Sequence, residues 1–283
     1  MSRPQLAPGV EIVTVDGHPP AVRTSDGEFL RVNAPPEATA EMLSLLGPGG
    51  GSGHPARQET VRLLGAFTDA GYLAAPPSWP SDHAGVLVLG DERLTAPLTE
   101  FLTSEGARPR PAAPGDVAAL ADASASGRQA SDVAAVVWCL DRPVPPGLWK
   151  DADRLPAQGI AWARCHREGR QAWIEPIAAA PGDVLATHVA ARRLAATPAH
   201  RELAAYWAGN VATGPHPVTG AAAAATIAAL IATDLATWAR RDSGGEHLPD
   251  RRRLRRVDLR DLKVTEHCVL PVPRVAPIET HRA

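Results

Sequence analysis

Sulfur and small aromatic residues are scarce in this chain of 283 residues, which has three cysteines, two methionines, three phenylalanines and two tyrosines. Cys139, Cys165 and Cys268 are odd in number, far apart and never in a CxxC pair. They offer no disulfide framework and fit a reducing cytoplasm. An excess of charge is missing too. A formal net charge of −2 removes any global pull toward nucleic acid or an anionic membrane surface. The first residues, MSRPQLAPGVEIVTV, hold no apolar run of the signal-peptide kind. The most apolar long stretch, residues 220–239, is mostly alanine and carries Asp234, so it reads as a buried helix and not a membrane span. No glycine-rich phosphate loop, no cluster of magnesium-binding carboxylates and no internal repeat stand out.

The rest of the composition is that of a folded chain, 45% hydrophobic and 21% charged, and the length suits two domains. The pattern predicts an α/β protein. Residues 1–75 form a winged-helix-like domain of a three-stranded sheet plus helices. Residues 76–84 are a proline-rich linker, and residues 85–283 are an α/β domain.

In the first domain, residues 10–15, 21–24 and 28–32 are short runs of β-type residues split by DGHPP and SDG, as in a meander with tight turns. Pro36 suits the first position of a helix in which Ala38, Met42, Leu45 and Leu46 share a face. The loop GPGGGSGHP follows. A second helix runs from Pro55 to Ala70, and Gly71 closes it. A DNA-reading helix should offer basic and amide side chains. This one offers Arg57, Gln58 and Arg62, but Glu59 and Asp69 as well, and its domain has no marked positive excess.

The order and spacing of these elements resemble the peptide-recognition element of ribosomal-peptide biosynthesis, a domain similar to the small pyrroloquinoline-quinone chaperone. The resemblance implies that a leader peptide adds as a strand along Phe29, Leu30, Arg31 and Val32. Arg57, Val61 and Leu64 would wall the groove. Arg31, Arg57 and Arg62 would pair with acidic leader residues. Core packing accounts equally well for Val61 and Leu64. In the family a further helix stands where this chain has its glycine loop.

The second domain alternates apolar strands and amphipathic helices. Residues 85–89 and 132–140 read as buried parallel strands, 93–104 and 116–125 as helices, and 160–165 and 171–177 as further strands. Residues 219–241 form the longest helix, and 253–259 with 263–270 a closing hairpin. Trp138, Trp149, Trp162, Trp173 and Trp238 suit core or interface positions. The basic run at residues 251–256 reads as a solvated loop and strand entry.

The segments DVAAVVWCLDRP, IAWARCHREGRQAWIEPIAAAPGDVLAT and LRRVDLRDLKVTEHCVLPVPRV resemble the ThiF-like adenylating fold of azoline-forming cyclodehydratases. In that family the last two segments usually carry a CxxC each and share one zinc. Here the matching positions are Val184 with Thr187 and Val275 with Ile278, which are poor zinc ligands. The phosphate loop is similarly degraded. Gly90-Asp91-Glu92-Arg93 keeps one glycine and sets two carboxylates where phosphate would sit.

The resemblance thus implies a non-catalytic scaffold without cofactor or metal. It would bind the leader of a precursor peptide and dock a separate YcaO-type cyclodehydratase that makes azolines on a thiopeptide or a related product. A homodimer is a further expectation, whereas nucleic acid and membrane are not expected partners. Two alternatives remain open: a zinc-free ThiF-like enzyme acting on a peptide, and a winged-helix transcriptional regulator.

Overall fold

The computed structural model describes residues 5–47, 56–73, 79–123, 132–212, 214, 218–240 and 249–273. The chain divides into two compact units, Met1–Ser78 and Trp79–Ala283. The proline-rich stretch 74–78, the glycine loop 48–55, and Val275 with Ile278 lie outside the described residues.

In the first unit, β1 (Glu11–Val13), β2 (Ala21–Arg23) and β3 (Phe29–Arg31) pair antiparallel in the order β1-β2-β3, which leaves β3 at an edge. Two helices follow, α1 (Pro36–Leu46) and α2 (Gln58–Asp69). Val22, Val32, Met42 and Phe67 are the buried core between sheet and helices. The second helix starts later than its sequence pattern predicts. Glu41 of α1 accepts from the Arg57 amide at 3.4 Å and from the Thr60 hydroxyl at 2.6 Å, so a carboxylate from the neighbouring helix caps α2. Its far end is a Schellman turn. Gly71 takes φ +74°, its amide donates to Thr68, and the Tyr72 amide donates to Phe67 at 2.8 Å. The Phe67 and Tyr72 rings meet edge to face with centroids 5.7 Å apart.

The second unit is built on a seven-stranded mixed sheet in the order β10-β9-β8-β7-β6-β4-β5. β4 (Gly85–Gly90), β5 (Arg108–Pro111), β6 (Ala135–Leu140) and β7 (Ala161–Glu168) are parallel. β8 (Gln171–Ala178), β9 (Arg253–Asp258) and β10 (Val264–Cys268) continue antiparallel. Strand β5, RPRP, escapes a sequence reading because proline cannot donate to a ladder; here it is an edge strand, where proline is tolerated.

Side chains of the central strands alternate between two cores. Val86, Val88, Val137, Cys139 and Cys165 face α3 (Glu92–Ser104) and α7 (Ala221–Arg240). Leu87, Leu89, Val136, Trp138 and Trp162 face a second layer holding α4 (Pro114–Ala123) and a 3-10 turn, Ala152–Gln158. This two-sided burial is why β4 and β6 read as continuous apolar runs. The α7 helix is long and apolar enough to cross a membrane, but most of its residues are buried in this core.

Arg251 is exposed in a turn ahead of β9, as the sequence reading has it, but the strand part of the basic run differs. Arg253 and Arg255 lie on the face of β9 that turns to α7, and both grip the buried Asp234. Only Arg256, on the other face, is solvated among the residues of that strand's run. Strand alternation decides this, and composition alone does not carry it. Two helices that the periodicity did not single out, α5 (Ala186–Ala195) and α6 (His200–Trp207), complete the unit.

Candidate functional site

The edge strand β3 is the first candidate. The Thr24 amide donates to Glu28 and the Val32 amide donates to Pro20, each at 2.8 Å. The antiparallel alternation then makes Leu30 and Val22 a hydrogen-bonded pair and turns the N–H and C=O groups of Phe29 and Arg31 away from β2, toward the free edge. Leu30 shares the core face with Val22, whereas Phe29 and Arg31 project from the opposite face. Phe29 is 61% exposed, Leu30 43% and Val61 of α2 56%. These are large apolar side chains left in water on a small unit.

The other predicted groove residues separate into distinct roles. Val32 is buried in the core, and Leu64 packs against that core from α2. Arg57 is paired with Glu37 of α1 on the surface. Arg31 and Arg62 are exposed and have no acidic partner among the described residues. What the structure leaves available is therefore the β3 backbone, Phe29, Leu30, Val61 and two free guanidinium groups.

The second candidate is the crevice at the carboxyl ends of β4, β6 and β7, where open α/β sheets bind ligands. Gly90 takes φ +121°, and a Cβ on it would stand 1.8 Å from the Cys139 carbonyl oxygen. Close approach of two strands requires this glycine. Asp91 then accepts from the Asp141 amide at 2.7 Å and stitches the loop to the end of β6. Arg167 donates to Asp141 through Nε at 2.6 Å, and the Thr219 amide and hydroxyl donate to the same carboxylate. Burial would raise the Asp141 pKa, but the hydrogen bonds from Thr219 and Arg167 outweigh it and hold the carboxyl below its usual range. The crevice is thus taken up by the chain's own charges. Beneath it, burial and the nearby Asp91 push the Cys139 thiol up to about 12, which leaves an inert thiol.

At the position matching one half of the zinc frame, Val184 is fully buried and packs with Val189, Leu254, Val269 and Trp173. Thr187 is exposed at the start of α5, where its amide and that of Ala186 donate to Asp153. His188 receives the Leu185 amide at 3.3 Å, and His267 lies exposed on β10 beside Thr265. Among the described residues no group of three or more His, Cys, Asp or Glu could hold a metal ion.

No family model and no curated protein match the chain. Solved structures do. A heterocyclase in complex with substrate and cofactor superposes on 95% of the chain with a TM-score of 0.67 at 14% identity. The heterocyclase TruD covers 95% of the chain with a TM-score of 0.62 at 16% identity. A chain of the E. coli microcin synthetase McbBCD complex with pro-MccB17 bound covers 95% with a TM-score of 0.51 at 12% identity. The chain has the fold of these proteins. It spans 38% and 42% of the two heterocyclases' own length and is matched by 97% of the microcin synthetase chain. The α/β architecture expected from the sequence, a small three-stranded unit ahead of a larger mixed sheet, is the one found.

A sequence reading could not find the charged chain that crosses β7 and β8. Arg164 donates to Glu175 at 2.6 Å, His166 lies 3.6 Å from Glu175 and 3.1 Å from Glu168, and Arg193 of α5 clasps Glu168. The only trace in the sequence is the alternation Arg164, His166, Glu168 on one face of a strand.

Proposed function

We propose that the chain is a non-catalytic scaffold for azoline formation. The N-terminal unit captures the leader of a ribosomally made precursor peptide, and the second unit docks a separate YcaO-type cyclodehydratase. The observation that carries this reading is the edge strand β3, with the backbone groups of Phe29 and Arg31 turned outward beside exposed Leu30. An extended peptide gains main-chain hydrogen bonds at such an edge, and neighbouring side chains select its sequence. Arg31 and Arg62 favour a peptide with acidic residues.

The heterocyclase fold of the chain supports a place in such a pathway. A microcin synthetase relative in fold was solved within a complex with pro-MccB17 bound. The filled crevice at Asp91 and Asp141 supports the non-catalytic role, because carboxylates at close range repel a nucleotide phosphate. The scaffold raises effective concentration: holding the leader makes attack on the core nearly intramolecular.

The test is titration of the full chain with a fluorescently labelled leader. Saturable binding is expected, weakened at least tenfold by Leu30→Asp or Val61→Asp. Absence of saturation, or binding indifferent to both changes, overturns the leader-capture reading. Azoline formation by the partner enzyme should fall when the chain is omitted, and ATP turnover should be absent from the chain alone.

A further inference from the structure

A cavity of about 750 Å³ opens in the second unit, between the carboxyl end of β7, the 3-10 turn and helices α5 and α6. It lies within the range of small-ligand pockets, about 300–1,000 Å³. Its walls are apolar: Val144 and Pro145 after β6, Val189 of α5, and Ala204 of α6.

The acidic side chains of the lining are all engaged within the protein. Glu168 accepts from Arg193 through both oxygens and from the Trp207 indole. Arg164 holds Glu175, and His166 sits between the two glutamates, 3.1 Å from Glu168 and 3.6 Å from Glu175. Asp153 accepts from the Trp162 indole and from the Ala186 and Thr187 amides at the start of α5, a place that favours an anion. Trp149 Nε1 and His166 Nδ1 have no hydrogen-bond partner, but next to no accessible surface either, so a ligand does not reach them. Lys150 is exposed at the rim. It is the one charged side chain of the lining without an ion-pair or hydrogen-bond partner among the described residues.

The ligand's chemistry follows from its two ends. Polar atoms inside the cavity would lose water and gain no partner, which disfavours a polypeptide strand and favours hydrocarbon. At the rim the free ammonium attracts an anionic head and repels a cationic one, and a head placed there keeps most of its water. We propose that this cavity binds an amphiphilic monocarboxylate, with a medium-length alkyl chain along the apolar walls and its carboxylate at Lys150. The site is separate from β3 and stands whether or not the N-terminal unit captures a leader.

The test is calorimetric titration of the full chain with sodium octanoate and sodium decanoate below their micelle-forming concentrations. Sodium acetate and decyltrimethylammonium bromide are the controls. Saturable binding of decanoate is expected, about tenfold tighter than octanoate for the two added methylenes. Acetate should not bind, and the cationic chain should bind at least tenfold more weakly. Ala204→Trp, at an exposed position of α6, fills the cavity and should abolish decanoate binding. Lys150→Glu reverses the rim charge and should weaken it at least fivefold. Thermal melts establish that both variants fold; should Ala204→Trp fail to, Lys150→Glu and the chain-length series decide. Absence of decanoate binding, equal affinity for the two chain lengths, equal binding of the cationic chain, or unchanged affinity in either folded variant would overturn the proposal.

Discussion

Arg193 clasps both carboxylate oxygens of Glu168, at 2.9 and 2.6 Å, while its guanidinium lies 3.8 Å over the ring of Trp173. Trp207 Nε1 donates to the same carboxylate at 2.6 Å. One residue of α5 is thereby tied to a strand-end carboxylate, and α6 joins the same knot. The pairing is largely out of water, where a hydrogen-bonded ion pair holds its geometry.

This knot gives the chain an acid sensitivity. Burial would raise the Glu168 pKa, but hydrogen bonds from His166 and Arg193 outweigh it and lower it from 4.5 to about 2. A lowered folded-state pKa adds stability that is fully present above the unfolded value and fades as pH falls through the folded one. The expected loss between about pH 5 and pH 2 is roughly 3 kcal/mol from this group, at about 1.4 kcal/mol for each tenfold change in proton affinity. Urea unfolding across that range should show the slope, and Glu168→Gln should be less stable at neutral pH and flatten it. Parallel profiles for the two proteins would refute the assignment.

Asp234 on α7 meets Arg253 and Arg255 from β9, all three nearly buried. Burial dominates there and raises the aspartate pKa against the pull of both arginines. Removing the carboxylate takes a buried anion from both cations, while Glu266 still lies 2.8 Å from Arg255 and 3.8 Å from Arg253. Asp234→Ala should cost about 3–5 kcal/mol in denaturant titration. A loss below about 1 kcal/mol would mean that α7 is held by its apolar face alone.

Gly90 and Gly147 both take positive φ, +121° and +77°, but only Gly90 faces a neighbouring carbonyl within 4 Å. Gly147→Ala should cost about 1–2 kcal/mol, the strain of the left-handed region. Gly90→Ala adds a Cβ 1.8 Å from the Cys139 oxygen and should prevent stable folding or cost well beyond its counterpart. Expression yield and urea midpoints of the pair measure the difference. Equal costs would show that the strands at β4 and β6 separate easily.

On the strand-addition reading, the amide of Arg31 points outward and is idle within the unit. Proline is tolerated at such an edge position. Arg31→Pro should keep the melting temperature within a few degrees and weaken leader binding at least tenfold. Retained affinity would place the peptide elsewhere.

Much of the fold was legible because local rules carry it. Turn residues mark the meander, Pro36 opens α1, and two-sided burial makes β4 and β6 continuous apolar runs. The RPRP strand and helices α5 and α6 were not. The strand exists because β4 offers it a parallel partner, and the helices hold through long-range anchors such as Asp153 and Glu168. The predicted groove residues likewise divided only in three dimensions: Val32 and Leu64 joined the core, Arg57 met Glu37, and Phe29, Leu30 and Val61 stayed in water.

By itself the sequence determined the N-terminal meander, helix α1, the buried strands β4 and β6, the lack of thiolate pairs, and the single glycine at the end of β4. Tertiary structure decided where charge goes. Arg253 and Arg255 read as solvated residues along the chain, and nothing in the sequence marked Arg164, Arg167 or Arg193, yet each of the five is paired with a carboxylate. The physical reason is that apolar periodicity is a local property of one element. The partner of a buried ion is chosen by elements far apart in the chain, and desolvation makes that choice obligatory.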